Sequence, residues 1–210
     1  MPLDRLQTAM ERVTAFTAIV AGYALLGLSL AICVEIIIRR FFGLSMQGVD
    51  EVGGYVLAGT CAFGFAYALI CRAHTRIDIF TQRGSASLQA VLNVLSAALL
   101  AAIACFMAWW AYVTFARSFE LGSTAPTPLQ TPTWIPQAVW LAGLVLFAIV
   151  AVFLTIRGIA AWSRGPGAVN AVIGPISLEQ EIDAEIDHQA ARAGQPGHTA
   201  ASDRQGPDAP

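Results

Sequence analysis

Charged residues are scarce in this sequence, and lysine is absent from it. Asp, Glu, Lys and Arg make up 12% of the 210 residues, and all 12 basic residues are arginine. Soluble domains carry about twice that charged fraction. The net charge of -2 is close to neutral and does not indicate a nucleic-acid-binding protein, so we expect no nucleic-acid partner. In place of charge the chain has apolar residues, at 56% of the total and a mean hydropathy of +0.62.

Histidine and cysteine are scarce too, which bears on metal and haem chemistry. The four cysteines lie within or at the edge of apolar runs, and their spacings match no zinc or redox motif: Cys33, Cys61, Cys71 and Cys105. His74 is the single histidine close to a membrane segment, which argues against bis-histidine haem. The sequence also offers no visible pair of nucleophile and base. It therefore predicts no cofactor, no metal site and no catalytic residues.

Four long apolar runs dominate the chain. The run at 52–71 has no charged residue and about the length needed to cross the hydrocarbon core of a bilayer. Three further runs lie at about 13–38, 88–115 and 134–156. These runs predict an all-α integral membrane protein with four transmembrane helices, in contact with membrane lipid along its spans.

The segments outside these runs have their own patterns. Residues 1–12 are polar with apolar residues three or four apart, which predicts a short interfacial helix before the first span. Three prolines within 117–133 predict an ordered, extended crossing in place of a helix. Gly165-Pro166-Gly167 is predicted to end the membrane domain, and 165–210 to form an acidic cytoplasmic tail. The tail is predicted to have a short helix at about 178–193 and to be disordered after it.

Arginine placement predicts the orientation of the spans. Seven arginines fall on one side and three on the other, and the positive-inside rule then places both termini in the cytoplasm. The seven are Arg5, Arg12, Arg72, Arg76, Arg83, Arg157 and Arg164, and the three are Arg39, Arg40 and Arg117.

Glu35 is the one acidic residue inside a predicted span. An ionisable residue within a membrane is a functional hypothesis by default. Arg39 follows it by four residues, however, and Glu before Arg at this spacing favours an ion pair on one helix face. Two interpretations stay open: an interfacial ion pair, or a proton or substrate site.

Asp50 and Glu51 stand at the start of the second span. Acidic residues favour a helix N-terminus, where they interact with the dipole and with free N–H groups. Capping accounts for one of the two. The other is available to pair with Arg39, with Arg40 or with a partner protein.

Small residues recur every four positions along the second span, at Gly54, Ala58, Ala62 and Ala66. In lipid, such a strip lets another helix approach closely, so we expect it to contact a partner helix. The alternative is a Gly- and Ala-rich helix with no particular partner. After this span, Arg72, His74 and Asp78 belong to a polar cluster, which we interpret as a hydrogen-bonded turn.

These residues resemble the small permease (DctQ-like) subunit of tripartite ATP-independent periplasmic (TRAP) transporters. The resemblance rests on Arg39, on Asp50-Glu51 before a Gly-containing span, and on Arg72, His74 and Asp78 after it. It covers about residues 10 to 160. One departure concerns the position three residues before the second acid, where the family usually has Trp and this chain has Gly48.

The resemblance implies a supporting role in a transporter of the bacterial inner membrane. In that family a large permease subunit carries the substrate and Na⁺ sites, and a periplasmic substrate-binding protein delivers an organic acid. The small subunit braces the large one. Two alternatives stay open: a self-sufficient four-helix exporter that uses Glu35 for coupling, and the membrane anchor of a redox complex.

Overall fold

The described part of the chain consists of α-helices and the turns and loops next to them. The computed structural model describes residues 2–45, 47–72, 85–174, 186 and 189, with side chains from residue 5 onward. The helices of this part are α1 (Pro2–Phe42), α2 (Val49–Ile70), α3 (Ala86–Glu120), α4 (Trp134–Ala161) and α5 (Pro166–Ile173), with a 3-10 turn at Trp162–Arg164. Helices α1 to α4 are long and apolar enough to cross a membrane. The described residues form no β-strand, so the all-helical prediction with four candidate spans is confirmed.

Helix α1 is longer than the predicted first span. It is continuous from Pro2 to Phe42, so no break separates residues 1–12 from the span, and a separate interfacial helix is not shown. The reason lies in the sequence, which has no Gly or Pro between Leu3 and Ala21 to interrupt the helix. Gly43 follows its last residue with a φ of 65°, the left-handed conformation that commonly ends helices. Where residues 2–12 lie relative to lipid stays a prediction.

The four long helices pack as one layer in the order α1, α2, α4, α3. Helix α2 packs between α1 and α4, α3 packs on the far side of α4, and α1 barely reaches α4. One end of the layer carries loops 43–48 and 121–133; we call it the loop end. The opposite end carries α5, and we call it the α5 end.

Close packing of small residues holds α3 against α4. Every buried residue of α3 is an alanine, whereas α4 contributes larger side chains such as Leu144, Phe147 and Val150. Between apolar helices in lipid, van der Waals contact is the main attraction, so small residues that let the backbones approach are favoured. Thr155 also links the helices, because its hydroxyl shares its one hydrogen between Ala151 O of α4 at 2.8 Å and Ala97 O of α3 at 3.0 Å.

Helix α5 extends the membrane unit beyond the boundary predicted at residue 165. The compact unit runs from Met1 to Ile173. Val169 is fully buried, and Ile173 is 5% exposed in a cluster with Ala90, Ala97 and Ala161 of α3 and α4. Of the tail helix predicted at about 178–193, only residues 186 and 189 lie within the described residues, and both are helical.

The loop from Leu121 to Thr133 is ordered, as predicted, but it is not an extended crossing. Thr124 and Pro132 form an isolated antiparallel bridge, so the loop folds back on itself. Ala125 N donates to Thr131 O at 2.9 Å, and Thr133 N donates to Ser123 O at 3.0 Å. These bonds make the loop a fixed cover over the N-terminus of α2.

Candidate functional site

An ion pair at the loop end joins Glu35 and Arg39, as the four-residue spacing predicted. The Arg39 guanidinium donates to Glu35 Oε1. The Ser45 hydroxyl lies 3.4 Å from both partners. The Glu35 side chain is only 7% exposed, whereas that of Arg39 is 58% exposed, so the arginine reaches solvent or headgroups while the acid is covered. The pair compensates the one buried carboxylate that the sequence placed inside a span.

Glu51 is bonded to its own helix and faces the covering loop. Tyr55 Oη donates to Glu51 Oε1 at 2.7 Å, one turn along α2. Thr127 and Thr131 of the loop face the same carboxylate. Its second oxygen, Oε2, is buried and has no hydrogen-bond partner within the described part of the chain. Among the described residues no ion pair joins Glu51 to Arg39 or Arg40, and Arg39 is bonded to Glu35 instead.

The prediction that an acid caps α2 is wrong. The N-cap position belongs to Gly48, and no side chain makes a capping hydrogen bond there. Asp50 and Glu51 instead lie in the first turn, where both still interact favourably with the helix dipole. Asp50 is exposed, so its carboxylate is the accessible one of the two.

Gly48 is fixed by its backbone and by a neighbour. Its φ is 104°, a conformation that residues with a Cβ rarely adopt. A Cβ built there would also overlap the side chain of Leu129. In this chain Leu129 thus occupies the space over Gly48, the position at which the family usually has Trp.

The small-residue strip of α2 does not form one outward face. Gly54 and Ala58 are exposed, with open space around Gly54, whereas Ala62 is 1% and Ala66 0% exposed. A step of four residues turns the helix by about 400°, so the strip drifts by about 120° between Gly54 and Ala66. The inner two therefore pack within the chain, in clusters with Leu144 and Phe147 of α4. For Ala62 and Ala66 the expected contact with another protein is wrong.

The polar cluster after α2 is described in part. Arg72 has a φ of 54°, and its Nη1 donates to Ala171 O of α5 at 2.9 Å. His74 and Asp78 lie outside the described residues. Arg72 therefore joins the end of α2 to α5, a contact that the sequence did not indicate.

Helix α5 and its bonds are what sequence reasoning missed at the α5 end. Asn93 Nδ2 donates to Asn170 Oδ1 at 3.0 Å, and Asn170 Nδ2 donates to Ala86 O at 3.3 Å. One signal was available, because Pro166 stands at the first position of a helix, where proline is favoured. The prediction that Gly165-Pro166-Gly167 ends the membrane domain does not use this signal.

The described residues contain no cluster of three His, Cys, Asp or Glu side chains that could hold a metal ion. The four cysteines are free and exposed. The site that the sequence indicated is thus a set of fixed polar contacts at the loop end and at the α5 end.

A family model described as "Tripartite ATP-independent periplasmic transporters, DctQ component" matches residues 28–161. This range holds the whole of α2, α3 and α4, together with the Glu35–Arg39 pair of α1. No curated protein and no solved structure matches the chain.

Proposed function

Since the chain belongs to the family of DctQ components of tripartite ATP-independent periplasmic transporters, we propose that it braces the large permease subunit of such a transporter. The family is one of transporter components and not of enzymes, and the chain is a small membrane subunit with several spans. The complex takes up an organic acid in a Na⁺-coupled reaction. A periplasmic substrate-binding protein delivers the acid, and the bacterial inner membrane holds the complex.

One observation carries this proposal: the family match covers the region in which the helix layer is most closely packed. Leu144, Val150 and Ala66 are almost fully buried between α2, α3 and α4. A bracing subunit must keep its shape while its partner moves, and interlocked helices resist deformation. The Glu35–Arg39 pair fits the same role, since a paired carboxylate is held in one position.

Reconstitution into liposomes tests the proposal. The chain alone is expected to show no solute uptake under a Na⁺ or proton gradient. Uptake of the organic acid is expected when the large permease and the binding protein are added, and it should fall when this chain is omitted. Gradient-driven transport by the isolated chain would overturn the bracing role and favour the self-sufficient exporter.

The Glu35→Gln variant separates the two interpretations of that residue. In a bracing subunit, this variant should change the stability of the complex but leave the coupling ratio of Na⁺ to substrate unchanged. A changed ratio at unchanged stability would assign Glu35 to coupling.

A further inference from the structure

Contacts between the long helices fix how far each helix is shifted along its neighbour. Each pair of neighbours in the layer has one contact close to the middle of its apolar runs. These contacts are Leu28 with Gly53, Ala62 with Gly143, and Ala97 with Thr155. From each contact, any residue of one helix can be matched with the residue that lies beside it on the next helix, because both helices rise by about 1.5 Å per residue.

The midpoints of the four apolar runs do not lie side by side. The run of α2, 52–71, has its midpoint at residue 61 or 62. Counted from the contacts, the midpoint of the α1 run lies beside about residue 55 of α2, that of the α4 run beside about residue 64, and that of the α3 run beside about residue 70. In the order α1, α2, α4, α3, the midpoints therefore move steadily toward the α5 end, by about 14 residues or about 21 Å in all.

An upright layer would place charged side chains inside the hydrocarbon. With the midpoint of the α2 run at the bilayer centre, Arg12 of α1 and Arg117 of α3 would each lie about 11 Å from the centre, on opposite sides. Half of the hydrocarbon core is about 15 Å thick. Both arginines are exposed, so the chain itself does not cover them. Since a charged side chain in hydrocarbon is unfavourable, an upright position is disfavoured at both edges of the layer.

Two tryptophans of α3 are unfavourably placed in an upright layer as well. Trp109 and Trp110 lie beside the midpoint of the α2 run, so an upright layer would put both at the bilayer centre. Tryptophan favours the membrane interface, where its N–H group meets water and headgroups. Both side chains are more than half exposed, and neither is covered by its own chain.

A tilt of the layer within its own plane removes these conflicts. Neighbouring helix axes are about 8–10 Å apart, so the axes of α1 and α3 are about 27 Å apart across the layer. A shift of about 21 Å over that width corresponds to a tilt of about 35–40°, which lies within the range of transmembrane helices. At this tilt the long runs of α1 and α3 cover about 30–34 Å of depth, close to the hydrocarbon thickness of about 30 Å.

The run of α2 is the exception, because its 20 residues cover only about 24 Å at this tilt. Both of its ends have polar contacts within the chain. Thr127 and Thr131 of the covering loop face Glu51 at one end, and Arg72 donates to Ala171 O of α5 at the other. Helix α2 therefore needs less depth than the two edge helices, whose ends have no such cover.

We propose that the lipid bilayer contacts this chain along an oblique band, with the helix layer tilted by about 35–40° within its own plane. The band covers the part of α1 nearer the loop end and the part of α3 nearer the α5 end. At the bilayer centre it exposes Leu26 of α1 and Ile103 of α3. Arg12 and Arg117 leave the hydrocarbon, and Trp109 and Trp110 move about 9 Å from the centre toward the interface.

Nitroxide labels on the full chain in phosphatidylcholine nanodiscs test the proposal. Single cysteines replace four side chains that are each 51–58% exposed, in a background without the native cysteines: Leu26, Ile103, Val20 and Trp110. Depth is measured from the ratio of collisions with oxygen to those with a water-soluble nickel chelate. Leu26→Cys and Ile103→Cys should be the deepest, with Val20→Cys about 6 Å and Trp110→Cys about 10 Å shallower.

Cys61, kept as the single cysteine, is the matched control. It is exposed and lies at the midpoint of the α2 run, so it is deep in a tilted and in an upright layer alike. The thermal unfolding midpoint of each labelled variant shows whether it folds. If Trp110→Cys does not fold, Tyr112→Cys takes its place, because Tyr112 is also exposed and lies less than one turn farther along α3.

An upright layer would reverse the ranking. Val20→Cys and Trp110→Cys would then be the deepest, and Leu26→Cys and Ile103→Cys would lie about 10 Å from the centre. That ranking, or equal depths at all four positions, would overturn the proposal. The measurement uses this chain alone, so its outcome does not depend on whether the chain braces a large permease.

Discussion

Glu35 and Arg39 form an ion pair in which the Glu35 side chain is buried and the Arg39 side chain is exposed. Removing one partner of a fully buried pair costs about 3–5 kcal/mol, whereas exposed pairs contribute about 0–1 kcal/mol. Because the arginine is 58% exposed, solvent or headgroups compensate it in part. A double-mutant cycle with Glu35→Gln and Arg39→Gln should therefore give a coupling energy of about 1 kcal/mol. Thermal unfolding in detergent measures it, and a coupling of zero would show that the pair is not structural.

Gly43 and Gly48 both have a positive φ, so a substitution by Ala strains the backbone at each. Comparing the two variants separates this backbone strain from the steric overlap that arises at Gly48 alone. Gly43 has a φ of 65° and open space around it, so Gly43→Ala should cost about 1–2 kcal/mol through the backbone alone. Gly48→Ala adds a steric overlap with Leu129. Overpacking of this kind typically lowers the free energy of unfolding by a further ~1–3 kcal/mol.

Leu129→Ala in the Gly48→Ala background tests this division. It should recover the steric part and leave the backbone part, as read from unfolding midpoints in detergent. Equal costs for the two glycine variants would contradict the role assigned to Leu129.

Helix α2 has one pair of small residues that face outward and one pair that packs inside. Ala62→Leu should destabilise the isolated chain by about 1–3 kcal/mol, because Ala62 lies directly against Gly143 of α4. Ala58→Leu should leave the isolated chain near the wild type but reduce co-purification with the large permease about fivefold or more. Ala102→Leu, the same change at an exposed position of α3, serves as the control. If Ala58→Leu co-purifies as well as this control, Gly54 and Ala58 do not contact the large subunit.

The helices could be predicted from the sequence because apolar length is a local property. An apolar run such as 52–71 can be identified from its own residues, without knowing which helices pack against it. Which face of α2 points inward could not be predicted, since that depends on where α4 crosses it. The Glu35–Arg39 pair was predictable because both residues lie on one helix. The bond from Arg72 to Ala171 was not, because it joins residues 99 positions apart.

For the molecule as a whole, the remaining question is which end of the helix layer faces the cytoplasm. The arginine count predicts that the α5 end faces the cytoplasm and the loop end the periplasm. Ser85 and Thr124 are exposed at these two ends. Single cysteines at these positions, in a background without the four native cysteines, should differ in labelling by an impermeant maleimide in whole cells. Thr124→Cys should label and Ser85→Cys should not, whereas the opposite result would reverse the orientation.

Helix α5 has a consequence for the order in which the chain matures during synthesis. It is the last element of the membrane unit to leave the ribosome, yet Arg72 and Asn93 bond to it across the sequence. All four spans can therefore enter the bilayer before the ends of α2, α3 and α4 are joined. Until Val169 and Ile173 are translated, the alanine surface at the start of α3 has no cover. A chain that ends at Arg164 keeps all four spans but lacks the contacts of Val169 and Ile173 with this cluster, and it should therefore unfold at a lower temperature in detergent than the full chain.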